Sequence, residues 1–167
     1  VGSPLEPRGL ICDSDQDNGT FILHASHQSA TRLHGFLCSI FKFQSDQLRV
    51  IVGDVGGGFG TKVAIYPEDI LVVYAAKKLN RPIKWTATRT EEFQASVHGR
   101  DHMNVAELAC DPEGRILALR VNTFANTGAY LINPALLIPL GLMSKVITSV
   151  YDIPAIYLET HCILTNT

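Results

Sequence analysis

The run Asp54-Val55-Gly56-Gly57-Gly58-Phe59-Gly60-Thr61-Lys62 has the residue types best suited to holding a ligand. Glycines cannot pack a core and lose much backbone entropy on folding. So dense a cluster is expected where the chain takes positive φ or passes close to another group. A concave row of free N–H groups there would form a nest for an anion. Phe59, alone among the glycines, would either anchor the loop or meet a ligand face. Two phosphate-binding templates fail on these residues. The P-loop requires Gly-Lys-Ser/Thr, and the chain reads Gly60-Thr61-Lys62-Val63. The dinucleotide fingerprint requires a glycine where Thr61 or Val63 stands, depending on whether it is started at Gly56 or Gly58. A glycine-rich turn without any ligand, and a phosphate or nucleotide site of another kind, remain as alternatives.

Other chemistry is thinner. His24, His27, His34 and Cys38 suggest a metal, but His24 belongs to a strand preceding the helix that carries His34 and Cys38, and no carboxylate completes a site. The acidic stretch Asp13 to Asp17 lacks the later Glu of an EF-hand loop. Glu91, Glu92, His98, Arg100, Asp101 and His102 form a polar cluster of the kind that solvates a loop, and no Ser-His-Asp or Cys-His arrangement can be assigned. No catalytic residue and no metal ligand is therefore assigned within the chain.

The elements that must position the glycine loop follow from periodicity. Leu5 to Cys12 reads as a strand, joined by a turn ending in Asn18-Gly19 to a short buried strand, Phe21 to Ala25. Ser26 is placed as the N-cap of a helix whose apolar face is Ala30, Leu33, Leu37, Ile40 and Phe41. The strand at Gln47 to Val52 delivers the loop. Pro67, Glu68 and Asp69 open a second helix, with a stripe of Ile70, Val73, Tyr74 and Leu79 and a stop at Asn80 to Pro82. With the strand Ile83 to Ala87 this makes a β-α-β-like unit in which parallel pairing of the flanking strands is one option. Thr88 to Arg100 reads as a loop or short helix. Asp101 to Cys110 and Arg115 to Thr123 alternate around Asp111-Pro112-Glu113-Gly114 as a hairpin with one buried face. Asn126 to Asn133 reads as a loop, Pro134 to Val150 as a helix interrupted at Pro139, and Tyr157 to Leu164 as a last strand. The fold class is α+β, a mixed sheet with two main helices, in a single domain over 1–167.

Bulk properties narrow the function classes. With 14 basic and 16 acidic residues the net charge is −2, and no basic patch for nucleic acid is visible. An apolar fraction of 46% belongs to a globular chain. The longest apolar stretch, Ala135 to Met143, contains Pro139 and is far short of a membrane span. Cys12, Cys38, Cys110 and Cys162 have neither disulfide-framework nor metal spacing and are read as free thiols of a reducing, cytoplasmic compartment. No secretory signal opens the sequence, and the missing initiator Met suggests a piece of a longer protein.

Val55-Gly56-Gly57-Gly58-Phe59-Gly60-Thr61-Lys62 resembles the glycine–phenylalanine loop of the xanthine dehydrogenase and aldehyde oxidase family, in particular the molybdopterin-binding large chain of bacterial molybdenum hydroxylases, the carbon monoxide dehydrogenase branch included. Leu5-Glu6-Pro7-Arg8, Arg81-Pro82-Ile83-Lys84-Trp85, His98-Gly99-Arg100-Asp101, Asn126-Thr127-Gly128-Ala129-Tyr130 and Thr165-Asn166-Thr167 agree with it in order and spacing. Asn126 stands where the family often has Asp. The resemblance implies a molybdenum–pyranopterin cofactor, with or without a cytosine dinucleotide extension, approached by Gly57, Gly58, Phe59 and Gly60. It also implies a role for Gln28 at a strand-to-helix junction, where the plain alternative is a polar residue of the first helical turn. Iron–sulfur and flavin (FAD) centres would lie on other domains or subunits, beside the remainder of the large subunit. The implied reaction is hydroxylation of an aldehyde, an N-heterocycle or a related small molecule. Purine-oxidising members carry Glu directly after the loop lysine. Val63 stands there instead, and valine cannot hydrogen-bond a purine. The family's general-base Glu and arginine loop fall outside this chain, so by itself it is expected to be inactive. The rival expectation is a non-catalytic scaffold or subunit-interaction module.

Overall fold

The computed structural model describes residues 2–15, 18–99, 101–131 and 136–166. Contacts divide the chain into two compact units, Val1–His98 and Gly99–Thr167. Gln16 and Asp17 of the expected first turn, Arg100 of the polar cluster, Asn133 and Pro134 at the expected loop-to-helix boundary, and Thr167 of the last motif lie outside the described residues.

The first unit is a four-stranded sheet in the order β3-β2-β1-β4, with β1 at Gly9–Asp15, β2 at Thr20–Ala25, β3 at Leu48–Ile51 and β4 at Ile83–Thr86. Its core arises from alternation. Leu10 and Cys12 of β1 and Phe21, Leu23 and Ala25 of β2 are buried, while their neighbours face away. Antiparallel register sets Leu10 opposite Ala25 and Cys12 opposite Leu23. Helix α1 (Ala30–Phe41) adds Leu33 and Leu37, and helix α2 (Pro67–Leu79) adds Val72, Val73 and Ala76 to the same cluster. Phe43 stacks between Phe21 and Phe41, with ring centroids 4.9 and 5.3 Å away.

Several boundaries differ from the sequence reading, each for a local reason. The first strand starts at Gly9 rather than Leu5, because Glu6 is drawn to the glycine loop and Leu5 is exposed. Ser29, not Ser26, stands at the N-cap position of helix α1, without a side-chain capping bond, and the Ser26 hydroxyl donates to Glu6 Oε2. Ile40 lies off the buried face of α1. The buried face of α2 is Asp69, Val72, Val73 and Ala76, at i, i+3, i+4 and i+7, leaving Tyr74 and Leu79 exposed. β3 and β4 run in the same direction but occupy opposite edges, since β2 and β1 lie between them. The parallel neighbour of β3 is β2, joined through α1. The segment after β4 forms helix α3 (Arg89–Ala95).

The second unit is a three-stranded sheet, β5 (His102–Cys110), β6 (Ile116–Gly128) and β7 (Ile156–Leu164), with β5–β6 antiparallel and β6–β7 parallel. β6 runs to Gly128, into the stretch expected to be loop, because its pairing with β7 continues to Leu164. Val121, Thr123, Ala125 and Thr127 are its buried residues, whereas Leu117 and nearly all of β5 are exposed, so burial of the hairpin face is confined to the far half of β6. In place of a helix broken at Pro139 there is a π-helical stretch, Leu137–Leu142, leading into α4 (Met143–Val146). Pro139 lies in the first turn of that stretch, where its missing N–H would have no acceptor within the helix, so the proline does not break it.

Candidate functional site

The glycine loop links β3 to α2 and closes in a 3-10 turn, Thr61–Val63. Gly57 and Gly60 have φ of 94° and 88°, which suits glycine. Phe59 takes φ 51°, a left-handed conformation costing a non-glycine residue roughly 1 kcal/mol. Gly56 and Gly58 are needed for a different reason. A Cβ on Gly56 would stand 2.5 Å from Glu6 Cβ, and one on Gly58 would stand 2.5 Å from Gln28 Cδ. Both glycines let a flanking side chain press against bare backbone.

Those two side chains clamp the loop from either end. Gln28 Oε1 accepts from the amides of Gly60 (3.0 Å) and Lys62 (3.1 Å), and the Gln28 amide donates to the Lys62 carbonyl at 2.9 Å. Gln28 therefore precedes the cap of α1 and serves the loop, not the first helical turn. Glu6 Oε2 accepts from the Gly56 amide (2.7 Å), Lys62 Nζ (2.8 Å) and Ser26 Oγ (2.8 Å). Burial acts to raise the Glu6 carboxyl pKa, but the hydrogen bonds from Lys62, Gly56 and Ser26 outweigh it and hold it below the ordinary carboxylate value. Lys62 has no exposed surface.

Behind the clamps sits a second polar assembly. The buried Arg8 gives both its amide and its Nε to Glu92 Oε1, at 3.0 and 2.9 Å, and its Nη1 reaches Glu68 at 3.4 Å. Its guanidinium lies 3.6 Å from the centroid of Tyr66. Tyr66 in turn donates its hydroxyl to the Thr61 carbonyl at 2.6 Å, and its amide donates to Asp69 Oδ2 at 2.8 Å. Burial raises Glu92, yet bonds from Arg8 and Ser96 bring it below its ordinary value, whereas burial pushes Asp69 up to about 6. Glu6, Arg8, Lys62 and Tyr66 were not singled out as site residues from sequence. The signal available was the Leu5-Glu6-Pro7-Arg8 motif and the lysine two residues after the last glycine of the loop.

The nest is narrower than expected. The amides of Gly56, Gly57, Gly60, Thr61 and Lys62 are engaged within the protein. Among the described residues, those of Gly58 and Phe59 have no partner. The Phe59 ring is 76% exposed, so it does not anchor the loop in the core. Gln28, Gly57, Gly58, Phe59 and Gly60 are thus brought together, as one face with two free donors, an exposed aromatic ring and a glutamine.

The remaining candidates disperse. Glu91 caps α3 through the Thr88 amide and Glu92 holds Arg8, while Asp101 accepts from Asn126 Nδ2 at 2.8 Å. Asn126 Oδ1 also accepts from the Gly128 amide and Thr165 Oγ1, which joins the two motifs at the ends of β6 and β7. His34 and Cys38 are 3.6 Å apart, but among the described residues no group of three His, Cys, Asp or Glu could hold a metal. All four cysteines are free thiols, and burial pushes Cys12 up to about 12. No helix among the described residues is long and apolar enough to cross a membrane.

Comparison with known proteins gives one consistent result. The family model described as "Molybdopterin cofactor-binding domain" matches residues 2–167. The carbon monoxide dehydrogenase large chain of Hydrogenophaga pseudoflava is 32% identical over 165 residues, 98% of this chain and 20% of its own length. The nicotine 6-hydroxylase large subunit of Paenarthrobacter nicotinovorans is 32% identical over 157 residues, 93% of this chain and 19% of its own. The crystal structure of quinoline 2-oxidoreductase from Pseudomonas putida 86 superposes with a TM-score of 0.89 at 32% identity, covering 98% of this chain and 21% of that one. The chain thus spans about a fifth of the length of these relatives.

Proposed function

Because the chain belongs to the molybdopterin cofactor-binding domain family, we propose that its glycine loop is one wall of the cofactor site in the large subunit of a molybdenum hydroxylase. The observation that carries this reading is the loop itself. Among the described residues, the amides of Gly58 and Phe59 are left without partners on a loop whose other main-chain donors from Gly56 to Lys62 are engaged, beside an exposed Phe59. Free amides suit an anionic cofactor, because they approach it with no side chain between. Gly58 and Phe59 would donate to the pterin or its molybdenum ligands, Phe59 would face it, and Gln28 would fix the loop's curvature from beneath. The bound cofactor would supply oxygen insertion at a C–H carbon. The residues here orient it and hold the loop rigid.

The substrate class we assign is an aldehyde, an N-heterocycle or a related small molecule. Val63 offers no hydrogen bond to a purine, and relatives include enzymes named for nicotine and quinoline. The partners we assign are the rest of the large subunit and the iron–sulfur and FAD-bearing parts of the complex, in the cytoplasm. The free thiols agree with that compartment. The pterin would be molybdopterin or its cytosine dinucleotide.

The test is Gly58→Val in the complete enzyme. A valine there drives into Gln28, and molybdenum content and turnover should both fall at least about tenfold, with the circular dichroism spectrum unchanged. Unaltered metal content and turnover would favour the scaffold reading. The 167-residue chain alone should hold far less than stoichiometric molybdenum and reduce no dye with aldehyde.

A further inference from the structure

Thr61 stands behind the free amides of the glycine loop and is 3% exposed. Its amide, at 2.9 Å, and its hydroxyl Oγ1, at 2.8 Å, both donate to the Gly58 carbonyl. A carbonyl oxygen has two lone pairs, and here each has a donor. A planar trans peptide sets its C=O and its N–H in opposite directions. The Gly58 carbonyl held on Thr61 therefore turns the Phe59 N–H away from Thr61, and that N–H is one of the two loop donors without a partner among the described residues. Phe59 is also a non-glycine residue at φ 51°. Such a conformation persists only where its surroundings over-determine it. Thr61 is itself held in place. Its carbonyl accepts the Tyr66 hydroxyl at 2.6 Å, and that hydroxyl accepts the Val97 amide at 3.2 Å. Tyr66 is buried, with the Arg8 guanidinium 3.6 Å from its ring centroid.

We propose that Thr61 is a positioning residue: its hydroxyl, together with its amide, holds the Gly58 carbonyl and so aims the Phe59 N–H out of the loop. One hydrogen bond and the strain of a left-handed Phe59 are similar in size. The amide alone therefore leaves the peptide free to turn, and the hydroxyl decides its orientation. The threonine methyl has a separate role. It lies 2.7 Å from where a Cβ on Gly2 would stand, and so packs against the N-terminal segment. That the aimed amide meets a molybdenum cofactor rests on the function proposed above, whereas the orientation of the peptide does not.

Two variants of the complete enzyme separate the hydroxyl from the methyl. Thr61→Val keeps the shape and loses the hydroxyl. Its crystal structure should show the Gly58–Phe59 peptide turned in part or all of the molecules, and molybdenum should be lost on prolonged dialysis about fivefold faster than from wild type. Thr61→Ser keeps the hydroxyl, so Phe59 should stay at positive φ and molybdenum loss within about twofold of wild type. A single wild-type orientation of the peptide in the valine variant overturns the positioning role, whatever the metal does. So does a turned peptide in the serine variant, which would assign the effect to the methyl, and this arm decides alone should the valine variant not fold. A turned peptide in Thr61→Val with molybdenum lost at the wild-type rate upholds the positioning role and tells against the cofactor reading of the loop.

Discussion

A lysine without exposed surface has to place its charge on a partner, and Lys62 does so through the 2.8 Å contact of Nζ with Glu6 Oε2. The Glu6 side chain is 41% exposed, so water screens the pair from one side. Breaking it should therefore fall below the range for fully buried pairs, and Glu6→Gln is expected to destabilise by about 2 kcal/mol, with the buried ammonium left on a neutral partner. The sign of the pH dependence follows from the lowered Glu6 pKa. A carboxyl depressed in the folded state contributes all of its stability above its unfolded pKa, near 4.3, and loses it as pH falls through the folded value. Denaturant unfolding should accordingly show a constant gap between wild type and Glu6→Gln above about pH 5, narrowing steadily below about pH 4. A gap independent of pH would mean that the charge on Glu6 contributes nothing. Asp69 runs the other way, since burial raises it to about 6 and its ionisation removes stability as pH rises through that value.

Among the elements, α3 shows how a short helix far from the loop in sequence bears on it. Thr88 Oγ1 accepts the Glu91 amide at 3.2 Å while Glu91 Oε2 accepts the Thr88 amide at 2.6 Å, a reciprocal capping box. The cap fixes the first turn, and that turn carries Glu92 into the interior against Arg8. Thr88→Ala should reduce stability by about 1 kcal/mol. A shift in thermal midpoint of a few degrees without change in the far-ultraviolet spectrum is the expected readout, and no shift would mean the cap is idle. This element also marks what sequence could disclose. Thr88 and Glu91 have the capping-box spacing, so a short helix was a readable option, and the alternation in β1 and β2 and the helical spacing of Leu33 and Leu37 were equally plain. The glycine loop and Gln28 were visible as types and as a resemblance. Long-range pairing was not visible. Nothing local in Glu6 says that it will receive an amide fifty residues away, and a lysine after four glycines gives no hint that it will be buried. Ser26 and Ser29 are both residue types that cap helices, but the Ser26 hydroxyl is held by Glu6 and its amide by the Gly9 carbonyl, which leaves Ser29 at the cap position without a side-chain capping bond.

On the scale of the whole molecule, the two units differ in how much apolar surface each buries. The contiguous buried cluster, from Leu10 through Ala76, lies entirely within 1–98 and receives contributions from β1, β2, β3, α1 and α2. In 99–167 the buried apolar residues include Val121 and Ala125, and their neighbours on the same face of β6 are Thr123 and Thr127. Met103, Val105, Leu108, Tyr157 and Leu164 of that unit are more than half exposed. Hydrophobic burial contributes about 25 cal/mol per Å² and must exceed an entropy loss of about 1–2 kcal/mol per ordered residue. The first unit has an interior of the kind that can meet this requirement, whereas among the described residues of the second no comparable apolar cluster is buried. A fragment spanning 1–98 should therefore unfold in one cooperative denaturant transition, with coincident fluorescence and circular dichroism midpoints, Trp85 reporting from beside the core. A fragment spanning 99–167 should show no such transition. A non-cooperative 1–98 fragment would instead mean that 1–167 folds only as one domain, with the loop and its clamps dependent on residues beyond His98.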